Sequence, residues 1–169
     1  MARLLIVHHS PSRSMQALLE QVVAGAHDED VQADAGVEVV VRPALEATAE
    51  DVLAADGYVL GTTANFGYMS GALKHFFDST FLAVGGALDP GGAPADGADG
   101  AGDTAGRPYG LWLHGRYDLT GAERSVQSIV GALGWRQGYD VLGVLGDIDD
   151  AALQAAYALG ATIAALLND

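Results

Sequence analysis

The chain has no cysteine in 169 residues, and its only lysine is Lys74. Without cysteine there can be no disulfide, no thiolate metal ligand and no thiol nucleophile. Lysine and arginine together number 8 against 22 carboxylates, for a formal net charge of −14. A basic face for nucleic acid is therefore missing, as is the cationic patch that an anionic membrane surface would need. Long apolar runs are also missing, and none is long enough to cross a bilayer. Arg3–Val7 is too short for the apolar part of a signal peptide, and no small-residue cleavage site follows it. The expectation is a soluble, cytoplasmic protein whose acidity serves solubility. Half of the residues are hydrophobic, enough for one domain, 1–169, with a sizeable core.

One stretch concentrates unusual residues. Gly61–Asp78 follows the apolar run Tyr58-Val59-Leu60 and leads into a helical pattern. A strand is expected to end near Gly61, with a ligand loop at its carboxyl end, where open parallel sheets bind ligands. Thr62, Thr63 and Asn65 bring hydroxyl and amide groups, and Phe66 and Tyr68 bring aromatic faces. Gly67 and Gly71 let a flat ligand or a backbone come close. The mixture suits a planar heterocycle with hydrogen-bonding edges better than an ordinary strand-to-helix turn.

The rest of the chain alternates strands with helices. Arg3–Val7 reads as a strand buried on both faces. His8-His9-Ser10-Pro11-Ser12-Arg13-Ser14 follows, and then Met15, Leu18, Leu19, Val22, Val23 and Ala26 recur at helical spacing. A hydroxyl-rich loop thus meets a helix N-terminus, which makes an anion site from free N–H groups and the helix dipole. Serine N-capping explains one of these hydroxyls but not the set. No Walker or dinucleotide glycine motif is present, which favours a mononucleotide. Two successive histidines on a strand point to opposite faces, so His8 and His9 are read as packing or loop residues and no metal site is expected.

Further strands are expected at Val37–Val41, Tyr58–Leu60, Tyr109–His114 and Tyr139–Val144. Helices are expected after the Thr48-x-x-Asp51 capping box, over Ser70–Thr80, over Ala122–Leu133 and from Asp149 to Leu167. His27–Gly36 reads as a polar loop with some helical tail, and Leu145–Asp150 as a polar turn. Gly85–Gly106, with Asp89, Asp96, Asp99 and Asp103, is low in complexity and reads as a surface insertion, with a lid or oligomer contact as the alternative. His114-Gly115-Arg116-Tyr117-Asp118 is a third loop at a strand's carboxyl end, and a surface ion pair is the plain alternative for Arg116–Asp118. Five strands alternating with five helices predict an α/β, doubly wound parallel sheet with helices on both faces.

Gly61–Gly71, followed by Leu73-Lys74 and Phe77-Asp78, resembles the second flavin-binding loop of the flavodoxin-like superfamily. Its pattern is most similar to the tryptophan-repressor-binding-protein type quinone reductases and the NAD(P)H-dependent FMN reductases. Those families typically read Gly-Thr-Pro at its start, where this chain has Thr63 in place of proline. The first loop resembles the flavodoxin phosphate loop, departing from it at Arg13 and Met15. The resemblance implies a five-stranded sheet of order 2-1-3-4-5 and an FMN site built from Ser10, Ser12, Arg13, Ser14 and Met15, then Thr62, Thr63, Ala64, Asn65, Phe66 and Gly67, then His114, Gly115, Arg116, Tyr117 and Asp118. Tyr117 would stack on the flavin, and His114 or Arg116 would polarise its pyrimidine side.

The implied activity is transfer of electrons from NADH or NADPH through the flavin to a quinone or another small acceptor. A homodimer is implied as well, and no catalytic acid or base is expected in the protein. Two alternatives stay open: an electron carrier that docks a basic redox protein, and a non-catalytic binding domain on the same fold.

Overall fold

The computed structural model describes residues 1–34, 36–93, 95 and 103–168. Asp96 and Asp99 of the acidic segment lie outside the described residues. The chain runs β1 (Ala2–His8), α1 (Arg13–Ala26), α2 (Glu29–Asp34), β2 (Val37–Pro43), α3 (Ala49–Ala54), β3 (Gly57–Asn65), β4 (Tyr68–Met69), α4 (Gly71–Thr80), β5 (Pro108–Gly115), α5 (Thr120–Ala132), β6 (Arg136–Gln137), β7 (Leu142–Leu145) and α6 (Asp150–Ala165). The parallel sheet has the order β2-β1-β3-β5, and β6 and β7 both pair with β5 at the far edge. Counting β6 and β7 as one interrupted strand, this is the expected 2-1-3-4-5 order.

The middle strands are apolar because both of their faces are covered. Leu5, Val7, Leu60, Leu111 and Leu113 pack with α4 and α5 residues such as Phe76, Phe77 and Val126. Leu4, Ile6, Val59 and Trp112 pack on the other face with Met15, Leu18 and Val22 of α1 and Leu159 and Ile163 of α6. Burying one such side chain stabilises the fold by about 1.5–3 kcal/mol. The two helices on that second face cross at glycines: a methyl on Gly25 would overlap the Tyr157 carbonyl, and one on Gly160 would overlap the Val22 carbonyl. This crossing fixes the direction in which α1 presents its N-terminus.

Three features depart from the sequence expectation. The third strand does not stop at Gly61 but runs on to Asn65. Gly61 is a mid-strand glycine because the indole of Trp112 fills the space a side chain would take. Beyond it, Thr63 pairs with His114 of β5, and Ala64 and Asn65 pair antiparallel with β4. Thr62 to Asn65 are therefore strand residues rather than loop residues. The expected fifth strand, Tyr139–Val144, is only partly strand: Tyr139 to Val141 lie outside any strand, β7 runs Leu142–Leu145, and Arg136–Gln137 ahead of them pair with β5 as β6. An extra helix, α2, forms because the Asp28 carboxylate accepts the N–H groups of Asp30 and Val31 at 3.0 and 3.4 Å.

The described parts of the glycine-rich insertion leave the end of α4 and return at the start of β5. That is the amino end of the sheet. Its base is closed by the Trp135 indole, which donates to Thr104 Oγ1 at 2.8 Å, while Thr104 Oγ1 donates to the Val84 carbonyl at 3.0 Å. Among the described residues, no helix is long and apolar enough to cross a membrane.

Gly160→Ala tests the helix crossing. The added methyl meets backbone, which cannot swing aside, so unfolding stability should fall by about 1–3 kcal/mol. Urea denaturation followed by circular dichroism measures it, and an unchanged midpoint would contradict the close crossing.

Candidate functional site

β1, β3 and β5 end side by side, and the segments leaving their carboxyl ends enclose a cleft of about 550 Å³. Ser12 and Ser14 line it from the first segment, Thr63 through Gly67 from the second, and His114 through Asp118 from the third. Of the residues expected from sequence, Ser10, Arg13, Met15 and Thr62 do not line it. Met15 is fully buried in the core between α1 and the sheet. Thr62 is also buried, on the opposite face, where its hydroxyl accepts the Ser70 N–H at 2.9 Å and donates to the Thr63 carbonyl at 2.8 Å. It positions the N-cap of α4 instead of meeting a ligand. Ser10 is hydrogen-bonded to His8 Nδ1 at 2.9 Å, and Arg13 is exposed on the first turn of α1.

The first segment ends at the N-cap of α1. Ser12 Oγ accepts the Met15 N–H at 3.2 Å and keeps its own O–H free to donate. Ser14 lies within the first turn, where backbone N–H groups lack helical partners and the dipole is positive. This end of the cleft suits an anion. His8 beneath the segment is held below the usual histidine range by burial and, secondarily, by neighbouring His9.

The second segment is a tight hairpin between β3 and β4. Phe66 and Gly67 sit at its tip with φ of 51° and 77°. Such turns prefer asparagine and glycine at both places, so a phenylalanine there costs about 1–2 kcal/mol of backbone strain. Its ring is nonetheless fully exposed. An apolar ring held in water on a strained backbone makes the tip a candidate ligand contact. The hairpin rests on α5: Gly121 abuts the Gly67 carbonyl with no room for a methyl, and Ser125 Oγ accepts the Met69 N–H at 3.3 Å.

The third segment carries Tyr117, 92% exposed. It is held by the turn at Gly146-Asp147, within the expected polar turn Leu145–Asp150. His114 Nε2 donates to the Gly146 carbonyl at 2.7 Å, the Gly146 N–H donates to the Gly115 carbonyl at 2.8 Å, and Arg116 pairs with Asp147 at 2.7 Å. The ion pair is exposed and contributes at most about 1 kcal/mol. The buried His114 bond is the firmer tie. The Gly146-Asp147 dipeptide, with Gly146 at φ 86°, was the available turn signal. What the sequence did not give was its partner. Asp118 accepts the Thr120 N–H at 2.9 Å, which holds its carboxyl below the usual range.

The cleft thus has an end suited to an anion, two exposed aromatic rims and a mostly apolar lining. Thr63 Oγ1 is buried behind that lining with no partner. The volume lies within the usual 300–1,000 Å³ of small-molecule sites. The hydroxyls and free N–H groups at α1 and the exposed rings of Phe66 and Tyr117 fit a flat ligand that carries a phosphate. A larger hollow of about 670 Å³ opens at the amino end of the sheet beside Arg107. That guanidinium is engaged by the Val52 and Ala55 carbonyls at 3.1 and 2.6 Å and by the Tyr58 hydroxyl at 3.0 Å. The cleft, at the carboxyl ends of the strands, is the better candidate.

The fold is flavodoxin-like. A solved flavodoxin from the domain Archaea superposes with a TM-score of 0.76 at 17% identity, over 99% of each chain. The flavodoxin, WrbA-like protein from Agrobacterium tumefaciens superposes with a TM-score of 0.68 at 15% identity, over 99% of this chain and 98% of that one. In sequence, a flavodoxin of Aquifex aeolicus (strain VF5) is 33% identical over 89 residues, which is 53% of this chain. The chain spans 45% of the length of that curated relative. No protein-family model matches the chain.

Two outcomes follow. Gly121→Ala should push the Phe66–Gly67 tip out of place, seen as shifted backbone amide resonances at residues 65–69 with the sheet resonances unmoved. Unshifted tip resonances would show that α5 does not support the turn. For His8, folding favours the neutral ring, so the unfolded chain binds more protons below about pH 6.5 and stability falls with acid there. His8→Gln should therefore lose less stability than the wild type between about pH 7.5 and 5.5 in urea titrations.

Proposed function

We propose that this chain binds FMN in the cleft and moves electrons by means of it. The observation that carries the reading is the pairing of a strained, fully exposed Phe66 with an exposed Tyr117 across a cleft whose other end is the N-terminus of α1. An aromatic ring that folding leaves in water on a costly backbone is explained by a flat ligand that covers it. The named relatives are flavodoxins or flavodoxin-like, which supports the same ligand class.

Bound FMN supplies the redox chemistry, accepting and releasing electrons in steps of one or two. The chain's own residues bind and orient. Ser12, Ser14 and the free N–H groups of α1 hold the phosphate. Phe66 and Tyr117 cover the ring and exclude water. Gly115 leaves room for Leu119 and Ala64 to pack beneath the third segment, and His114 keeps that segment in position through Gly146. No side chain is assigned as catalytic acid or base.

Donor and acceptor admit two readings. The reductase reading takes NADH or NADPH as donor and a quinone-like molecule as acceptor, in a homodimer. It draws support from the sequence of the Phe66–Asp78 segment. The carrier reading takes electrons from one protein and gives them to another. The net charge of −14 favours it, because such a field repels an anionic nicotinamide nucleotide and steers basic partners inward.

Anaerobic visible spectra of the FMN-loaded protein separate the two. Bleaching by NADH or NADPH at catalytic rates identifies a reductase; an unbleached flavin that a reduced basic redox protein does bleach identifies a carrier. Ser12→Ala with Ser14→Ala should weaken FMN roughly tenfold or more, as expected for losing hydrogen bonds to a charged group, and leave riboflavin nearly unaffected. Equal losses for both ligands would contradict the phosphate assignment.

A further inference from the structure

β2 forms one side edge of the sheet: among the described residues it pairs with β1 and with no other strand. The Ala44 N–H, just past β2, bonds the His8 carbonyl at 2.7 Å. Even-numbered residues of β2 therefore turn their N–H and C=O toward β1, and odd-numbered ones turn theirs outward. The outward row is closed at both ends. At Val37 the Gln32 amide accepts the N–H at 2.9 Å and donates to the carbonyl at 3.2 Å, and Pro43 has no N–H to offer. Between them Val39 and Val41 stay open. Among the described residues their outward groups meet only Arg42 Nη1, 3.4 Å from the Val41 carbonyl.

An open edge of valines is a template for another strand. Charged side chains often guard such edges, and Glu38 and Arg42 guard this one against a strand that brings like charge. Against one occupant they do the opposite. The stretch Glu38-Val39-Val40-Val41-Arg42 is complementary to its own reverse. Antiparallel to a second copy, Val40 stands opposite the partner's Val40, Val39 opposite the partner's Val41, and Glu38 opposite the partner's Arg42. Val39 and Val41 carry the free main-chain groups, so each exchanges both bonds with its opposite. Side chains sort by face: Val39 and Val41 lie toward α1 and α6, and Val40 lies toward α4 and α5 together with Glu38 and Arg42. On that second face Arg3 already pairs with Glu38 at 2.8 Å, and Asp51 with Arg42 at 3.4 Å. Across the seam the row reads Arg3, Glu38, the partner's Arg42, the partner's Asp51, alternating in sign throughout.

We propose that β2 pairs antiparallel with β2 of a second copy about a two-fold axis at Val40, joining two sheets into one. This gives the homodimer of the reductase reading a surface, but it rests on the edge alone and not on what the cleft holds. Two copies of net charge −14 repel at long range. The alternating row offsets that repulsion where the copies meet, since opposite charges facing each other across paired strands attract.

A seam of one short strand implies weak association, so sedimentation equilibrium should span roughly 10–500 μM chain in about 0.15 M salt, where long-range repulsion is screened. The wild type should pass from monomer to dimer over that range, with or without added FMN. Glu38→Arg puts like charges at both cross-strand pairs, and so does Arg42→Glu; each alone should weaken self-association about tenfold or more. An equimolar mixture of the two variants should associate nearly as the wild type does, because every 38–42 pair across the mixed seam is again of opposite sign. Both side chains are partly exposed, so the circular dichroism and urea midpoint of each variant should stay close to wild type. A wild type that remains monomeric at the highest concentration overturns the proposal. A dimer that both variants leave intact overturns it too, because that dimer uses another surface. A mixture that fails to reassociate overturns the two-fold register.

Discussion

β1, β3 and β5 are parallel, buried on both faces and paired so that their carboxyl ends lie side by side, with His8 opposite Gly61 and Thr63 opposite His114. Everything at the cleft depends on that register. A slip of one residue would turn Thr63 toward α4 and Thr62 toward the ligand, because side chains alternate along a strand. The Trp112 indole lying across Gly61 makes such a slip costly, since a residue with a side chain would then stand under the ring. The Gly25 and Gly160 crossing locks α1 against α6, and the N-terminus of α1 forms one end of the cleft. Core packing and ligand site are in this sense one arrangement, and the same tight contacts serve both.

Around that frame the three segments are held in different ways, which matters for what each can do. The first is fixed by a helix cap at Ser12. The second is a hairpin tip supported from below by α5 at Gly121. The third hangs on the turn at Gly146 through one buried histidine bond and one exposed ion pair. The rims that carry Phe66 and Tyr117 are therefore anchored at their bases and open at their tips, an arrangement suited to gripping a flat ring while leaving one edge accessible. An accessible edge is what electron transfer to an external partner requires, whichever partner it is.

The architecture was legible because its signals are local and repeated. Four apolar residues in a row at Leu4–Val7, helical spacing from Met15 to Ala26 and a capping box at Thr48–Asp51 each point to one answer. The stretches expected to carry loop chemistry fall at the carboxyl ends of strands, as the alternation of elements required. What the sequence concealed depends on partners distant in the chain. Gly61 reads as a strand end, and only the Trp112 ring that covers it, fifty-one positions later, makes it mid-strand. Thr62 looks like a loop residue by position, yet the register of β3 turns it inward, and Met15, expected both at a helical core position and at the cofactor, holds only the core position. Gly146 and Asp147 read as an ordinary turn until β7 is placed beside β5. Gly138, just past β6, has no room for a methyl beside Ile163 and Leu166, a contact that no local pattern announces.

The account stands on the claim that one cleft takes a phosphate at α1 and a ring between Phe66 and Tyr117. The most direct measurement is a fluorescence titration of the flavin-free protein into FMN and, separately, into riboflavin at matched ionic strength. The account predicts that emission is quenched with one flavin per chain, because stacking on aromatic rings removes the flavin from water, and that FMN binds more tightly than riboflavin because only it engages the serines of the first segment. Unquenched emission at high micromolar protein, or equal affinity for the two flavins, would contradict it.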